Sequence, residues 1–143
     1  MKATLRLKLH TDEATNAILM ETLRQSTECF NFVCRYGFEH NERNGFRLHQ
    51  STYASLKTLF PDMPSQLLVS ARMKATESLK SVQALRKKGK KVSCPQSDLC
   101  PIRYDARSYG VNLEAGVASL ASVCGPDLSH TMSEECPFRS ERT

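Results

Sequence analysis

Residues 86–91 read Arg-Lys-Lys-Gly-Lys-Lys. The four ammonium groups of Lys87, Lys88, Lys90 and Lys91 suit contact with a phosphate backbone, because each cation seated at a phosphate releases a condensed counterion and reads no sequence. The plainer reading is a solvated loop, and both hold if the loop orders only on binding. A second group lies in "CPIRYDARSYGVNLE", residues 100–114. There Arg103 and Arg107 offer guanidinium forks to phosphates, and Tyr104 and Tyr109 offer rings that stack on a base or ribose. The alternative is that one tyrosine fills the core, the arginines are solvated, and Asp105 turns the chain or pairs with an arginine. A third group, Arg72, Thr76, Lys80, Gln83 and Lys87, recurs at steps of three to four, which makes one polar and basic helix face. Ser65 and Gln66 precede it, and glutamine can read an adenine edge where serine serves any base.

Catalytic and metal chemistry find little support in the residue types. Ser129-His130 beside Asp127 is too compressed in sequence to suggest a triad. Six cysteines fit no zinc spacing: Cys29 and Cys34 are five apart, Cys94 and Cys100 flank a proline-containing loop, and Cys124, His130 and Cys136 are each six apart. They read as small buried hydrophobes or free thiols. No cofactor, metal or enzymatic activity is expected of this chain.

The elements that must position these groups are read from periodicity. "ATLRLKLH", residues 3–10, alternates strictly and predicts a half-buried strand with a basic outer face. Thr11 or Asp12 then caps a helix whose stripe is Leu19, Leu23, Phe30, Val33, Cys34 and Gly37, ending near the Asn44-Gly45 turn. A second helix is expected over 47–59 with Leu48, Leu56 and Leu59 inward. A third runs over 64–88, opened by Pro64, with Leu67, Leu68, Ala71, Ala75, Leu79, Val82 and Leu85 on its apolar face. Alternation slips at Asp105-Ala106, so 101–113 predicts two short strands with a kink, followed by a turn at 114–116 and a return strand through Val123. Residues 125–143 lose both periodicities and read as a poorly structured tail. A lone first strand needs partners, so it is expected to share a sheet with the late strands across a helical excursion.

At 143 residues this is enough chain for one domain with a real core. Charge is distributed unevenly: residues 1–91 carry 16 Lys/Arg against 8 Asp/Glu, and residues 92–143 carry 4 against 7. A basic block of this kind fits a polyanionic partner, and a solvated charged surface is the competing account. No apolar run approaches the ~20 residues of a membrane span and no signal peptide is read, so an intracellular chain with reduced cysteines and no membrane partner is expected.

"PDMPSQLLVSARMKATESLKS", the basic loop and "PIRYDARSYGVNLEAGVASLASV", preceded by "ECFNFVCRYGFEHN" and "FRLHQSTYASLKTLFP", together resemble the N-terminal part of TnpB proteins, the OrfB-type proteins of insertion sequences often labelled transposases. The resemblance covers residues 3–124. It implies an RNA-guided DNA endonuclease family related to type V CRISPR effectors. The implied fold is α+β, a split wedge-like, oligonucleotide-binding β-domain (1–10 and 92–124) with a three-helix recognition insert (11–91). The implied partners are a guide RNA and target DNA, in a prokaryotic cytoplasm or nucleoid, with His49, Tyr53 and Gln66 as candidates for reading the target-adjacent motif. The family's RuvC-like nuclease, with its three acidic residues, Mg²⁺ and four-cysteine zinc finger, has no counterpart in these residues. Asp12, Glu21, Glu77 and Glu114 read as cap, face and turn residues, and a truncated or frame-shifted reading frame with a divergent 125–143 is expected. The competing functional class is a basic helical protein-interaction module that meets an acidic partner. Unpaired sheet edges are expected to promote self-association.

Overall fold

The structure, a computed structural model, describes residues 4, 6 and 8–132, with side chains described up to 124. Helix α1 (Glu13–Glu39) opens on Asp12, whose Oδ1 accepts the Thr15 N–H at 2.7 Å. Its buried face begins at Thr22 and continues through Cys29, Phe30, Val33, Cys34 and Gly37, while Leu19 and Leu23 stay half-buried. Helix α2 (Gly45–Leu59) is capped by Asn44, whose Oδ1 accepts the N–H groups of Phe46 and Arg47 at 3.0 and 3.2 Å. Helix α3 (Ser65–Lys87) starts after Pro64, which lacks a capping side chain but accepts the Leu67 and Leu68 N–H groups on its carbonyl.

The three helices close on one core of Cys29, Val33, Cys34, Leu48, Leu56, Met63, Leu67, Leu68, Ala71, Ala75 and Leu79. Each fully buried leucine contributes about 1.5–3 kcal/mol of transfer free energy. Gly37 sets how closely the helices approach. A Cβ there would lie 2.3 Å from Leu79 Cδ1, 2.8 Å from Glu42 O and 3.3 Å from Leu48 Cδ2, so atoms of α3, of α2 and of the connection between α1 and α2 meet α1 at one bare Cα. The helix ends depart from the periodic reading. Leu59 is 57% exposed and Leu85 40% exposed, so neither joins the buried core.

The late strands form a four-stranded antiparallel sheet in the order β1-β4-β3-β2. Strand β1 is Leu9–His10, β2 is Tyr109–Asn112, β3 is Val117–Ser122 and β4 is Gly125–Met132. The predicted hairpin is present, with Ala115 N–H bonded to Asn112 Oδ1 in its turn and Gly116 at φ 64°. Of the expected strand over 3–10, the strand proper covers Leu9 and His10; residues 3, 5 and 7 lie outside the described residues.

Two expectations are corrected. The first strand's neighbour is β4, in the stretch read as a tail, with Leu9 opposite Met132 and His10 opposite Thr131. Polar Asp127, Ser129 and Thr131 masked β4, and Pro126 is tolerated at its start because β1 covers only its far end. Residues 133–143, the remainder of that stretch, lie outside the described residues. The expected strand at 102–104 is not formed either. Residues 90–105 are an irregular strap held by side chains, since no strand among the described residues reaches them.

Backbone groups of that strap find partners on two helices. Asn31 donates its Nδ2 to Ser97 O at 2.8 Å and accepts the Ser97 N–H at 2.9 Å. Thr27 Oγ1 accepts the Cys100 N–H at 2.9 Å while donating to Leu23 O at 2.8 Å. From α3, Ser70 Oγ donates to Arg103 O at 2.5 Å, and Lys74 Nζ donates to Pro101 O. Thr22 repeats the Thr27 pattern for the sheet, accepting Val123 N–H at 3.2 Å and donating to Ile18 O.

Gly37→Ala is expected to destabilise the fold by about 1–3 kcal/mol through overpacking, read as a lower urea midpoint with an unchanged slope. A variant as stable as the parent would show that the helices part at no cost.

Candidate nucleic-acid interface

Helices α1 and α3 end side by side, and both end in the same way. Beyond α3, Gly89 takes φ 74°, Gly89 N–H donates to Arg86 O at 3.0 Å and Lys90 N–H to Leu85 O at 3.1 Å. Beyond α1, Asn41 takes φ 50°, with Asn41 N–H on Phe38 O at 3.4 Å and Glu42 N–H on Gly37 O at 2.8 Å. Each is a Schellman closure, with glycine in one case and asparagine in the other tolerating the left-handed residue. Arg86 links the two ends. Its guanidinium lies 5.2 Å from the Phe38 ring centroid and Nη1 donates to Asn41 Oδ1 at 3.3 Å.

This corner gathers Arg86, Lys87, Lys88, Lys90 and Lys91 with Arg43, which shares a crevice with Gln83 and Arg86. Helix C-termini favour cations, each carrying roughly half a negative charge, which alone would justify one or two of these residues. The group is larger than that. Its acids are Glu39 and Glu42, and Glu42 is engaged locally: it accepts Asn44 N–H at 2.9 Å and Arg43 N–H at 3.0 Å, and faces Arg47 at 3.8 Å. Those bonds, the Asn44 N–H first, hold its carboxyl below the usual range. Lys87, Lys88, Lys90 and Lys91 are fully on the surface. With a volume of about 10 Å³ the crevice is too small for a ligand, so the corner offers charge on a surface rather than a pocket.

The remaining sequence candidates scatter over the molecule. Lys80 is exposed and Gln83 half-buried on the flank of α3 leading to this corner. Thr76, expected on that flank, is buried at 6% and donates to Arg72 O at 2.9 Å, because the start of α2 packs over it. Arg72 lies in the same seam. A Cβ on Gly45 would sit 2.7 Å from its Nη1, its Nε is buried without a partner, and burial pushes its pKa down. His49 and Tyr53 form a tilted ring pair, centroids 4.7 Å apart, one turn apart on α2.

Back along α3, from about 15 Å away at Glu77 to about 30 Å away at Gln66 by helical rise, the arginine-tyrosine stretch is mostly engaged in structure. Arg103 forms a two-pronged ion pair with Glu77 at 2.8 and 3.1 Å. Tyr104 is half-buried against the core and donates to Ala121 O at 3.1 Å, so its ring is not offered for stacking. Gln66 Nε2 donates to Asp105 Oδ2 at 2.6 Å, and Asp105 turns the chain by accepting Arg107 N–H at 2.9 Å. Ser65, Arg107 and Tyr109 remain exposed. The sequence reading missed Arg43, which joins the basic run only once α1 and α3 end together, and it gave Arg86, the first residue of that run, no role of its own. The asparagine before Glu42 and the glycine inside the lysine run were the available signals for two such ends.

Nucleophilic chemistry is disfavoured in the core, where burial pushes the thiols of Cys29 and Cys34 up to about 12. An open apolar groove of about 440 Å³ between Phe32 and Leu59 holds no titratable group.

Glu77 and Asp105 hold the strap on α3, and both carboxyls are depressed, Glu77 chiefly by the Arg103 hydrogen bond and Asp105 chiefly by that from Gln66. A depressed carboxyl contributes its tie above the unfolded value near 4 and loses it as pH falls through the lower folded value. Acidification below about pH 4 is therefore expected to free the strap, read as faster amide exchange at Arg107 and Ser108, corrected for intrinsic rates. Glu77→Gln should remove part of that dependence, and an acid-insensitive strap would show that its backbone bonds suffice. Comparison of the chain with protein families, with curated proteins and with solved structures finds no match in any of the three.

Proposed function

We propose that this chain is a nucleic-acid-binding module that grips a phosphate backbone through the paired ends of α1 and α3. The observation that carries the reading is the gathering of Arg43, Arg86, Lys87, Lys88, Lys90 and Lys91 on one open corner, with Lys80 and Gln83 on the flank leading to it. Lysine ammoniums on a convex turn act as point charges without a fixed fork, which suits sequence-independent contact. Gln83 is the group best placed to touch a base edge, since Gln66 is committed to Asp105.

The finer reading is that the helices and the sheet correspond to the helical insert and wedge-like, oligonucleotide-binding β-domain of TnpB-type proteins. On that reading the chain binds a guide RNA and target-adjacent DNA, and cleaves nothing itself. Support comes from the order of elements: a first strand, three helices, then strands that share its sheet.

Binding to a hairpin RNA and to duplex DNA is measured by filter retention across a salt series. Replacing Lys87, Lys88, Lys90 and Lys91 together by alanine is expected to flatten the log–log salt slope by about 3, at roughly 0.7–0.9 per phosphate contact, with equal loss for all sequences. An unchanged slope leaves a solvated turn. Binding of an acidic peptide that nucleic acid does not displace would favour a protein-interaction module.

A further inference from the structure

Strand β2 lies at the end of the sheet order, with β3 on one side and, among the described residues, an open edge on the other. Its sequence Tyr109-Gly110-Val111-Asn112 carries neither charge nor proline, the devices that usually blunt an edge. The direction of its free hydrogen-bonding groups follows from the ladder. Ser108 O accepts the Ala121 N–H at 2.9 Å, in the same register that sets Gly110 against Ser119 and Asn112 against Val117. In an antiparallel pair such residues alternate, so Ser108, Gly110 and Asn112 point their backbone groups at β3. Those of Tyr109 and Val111 point at the open edge, with the Tyr109 N–H taken by Asp105 O at 3.2 Å.

The same two residues and Leu113 carry the exposed apolar side chains: Tyr109 is 47%, Val111 45% and Leu113 70% exposed. Tyr109 and Val111 share one face with Leu120 and Ala118, their cross-strand neighbours on β3, and Leu113 follows in the turn. An edge with outward backbone groups centred on Val111 and an apolar row on one face is complementary to itself.

We propose that this edge joins a second copy of the chain, β2 pairing antiparallel with its counterpart about a two-fold axis through Val111. In that register Val111 faces Val111 and Tyr109 faces Leu113 twice over. A two-fold axis normal to the sheet keeps each side chain on its own face, so the two apolar rows merge into one. A parallel alignment would instead bring Arg107 of one copy to Arg107 of the other. The pairing is short, well below the ~1,600 Å² of a standard stable interface, so the dimer dissociates on dilution. The basic corner lies at the other end of α3, so this inference stands or falls apart from the nucleic-acid reading.

Sedimentation velocity under reducing conditions, over a concentration series from micromolar to millimolar, is expected to show a reversible monomer–dimer equilibrium. Val111→Lys sets like charges on the axis and is expected to weaken the dimer by about tenfold or more. Val111→Pro removes only an outward N–H, sparing the ladder to β3, and is expected to do the same with an unchanged far-ultraviolet spectrum. In the unmodified protein the Val111 amide should gain exchange protection as concentration rises, a readout that needs no variant to fold. A monomer throughout the series, a dimer unaffected in folded variants, or a Val111 amide indifferent to concentration overturns the proposal.

Discussion

A single asparagine side chain decides how the second half of this molecule lies on the first. Between Lys88 and Ser108 the chain forms neither helix nor strand, yet it crosses the face made by α1 and α3. Its backbone donors and acceptors have no ladder to join, and leaving them unpaired against the helices would cost about 1–3 kcal/mol each. Asn31 stands in for a neighbouring strand by donating to and accepting from one residue, Ser97. With Thr27, Ser70 and Lys74 supplying further partners, an irregular segment acquires a fixed path. Arg103 and Tyr104 owe their positions to that path. One is delivered to Glu77 and the other to the core.

The basic corner has a different origin. Nothing in the lysine run requires it to meet the turn after α1. The meeting follows from two helices of similar depth in the core stopping at the same level, with Gly37 allowing the close approach that brings Leu79 of α3 against α1. Arg86 then bridges the ends through Phe38 and Asn41. A surface made from the ends of elements distant in sequence looks in one dimension like two unrelated patches.

Periodicity made the helices legible, because their core positions recur at steps of three and four, and Asp12, Asn44 and Gly89 mark ends by known chemistry. It was misleading at Leu59 and Leu85, since a repeat cannot report which of its positions a neighbouring element covers. The hairpin of β2 and β3 was legible from alternation and the turn residues. Strand β4 was not, because a strand held on both sides by partners can be built from polar residues whose pairing rests on backbone groups. Of the site candidates, the exposed lysines kept the surface positions that charge alone suggested. Thr76, Tyr104 and Gln66 did not remain available, because each found an internal partner that only the folded chain supplies.

Thr22, Thr27 and Asn31 lie along α1, nine residues end to end and about 13 Å by helical rise. They hold Val123, Cys100 and Ser97 in that order. Helix α1 thus carries a row of docking points that the later chain meets in reverse. Exchange of this helical unit between proteins, by recombination or by design, would have to carry these three polar residues with it. An apolar α1 of the same shape could rebuild the helical core and still leave the sheet with nowhere to attach.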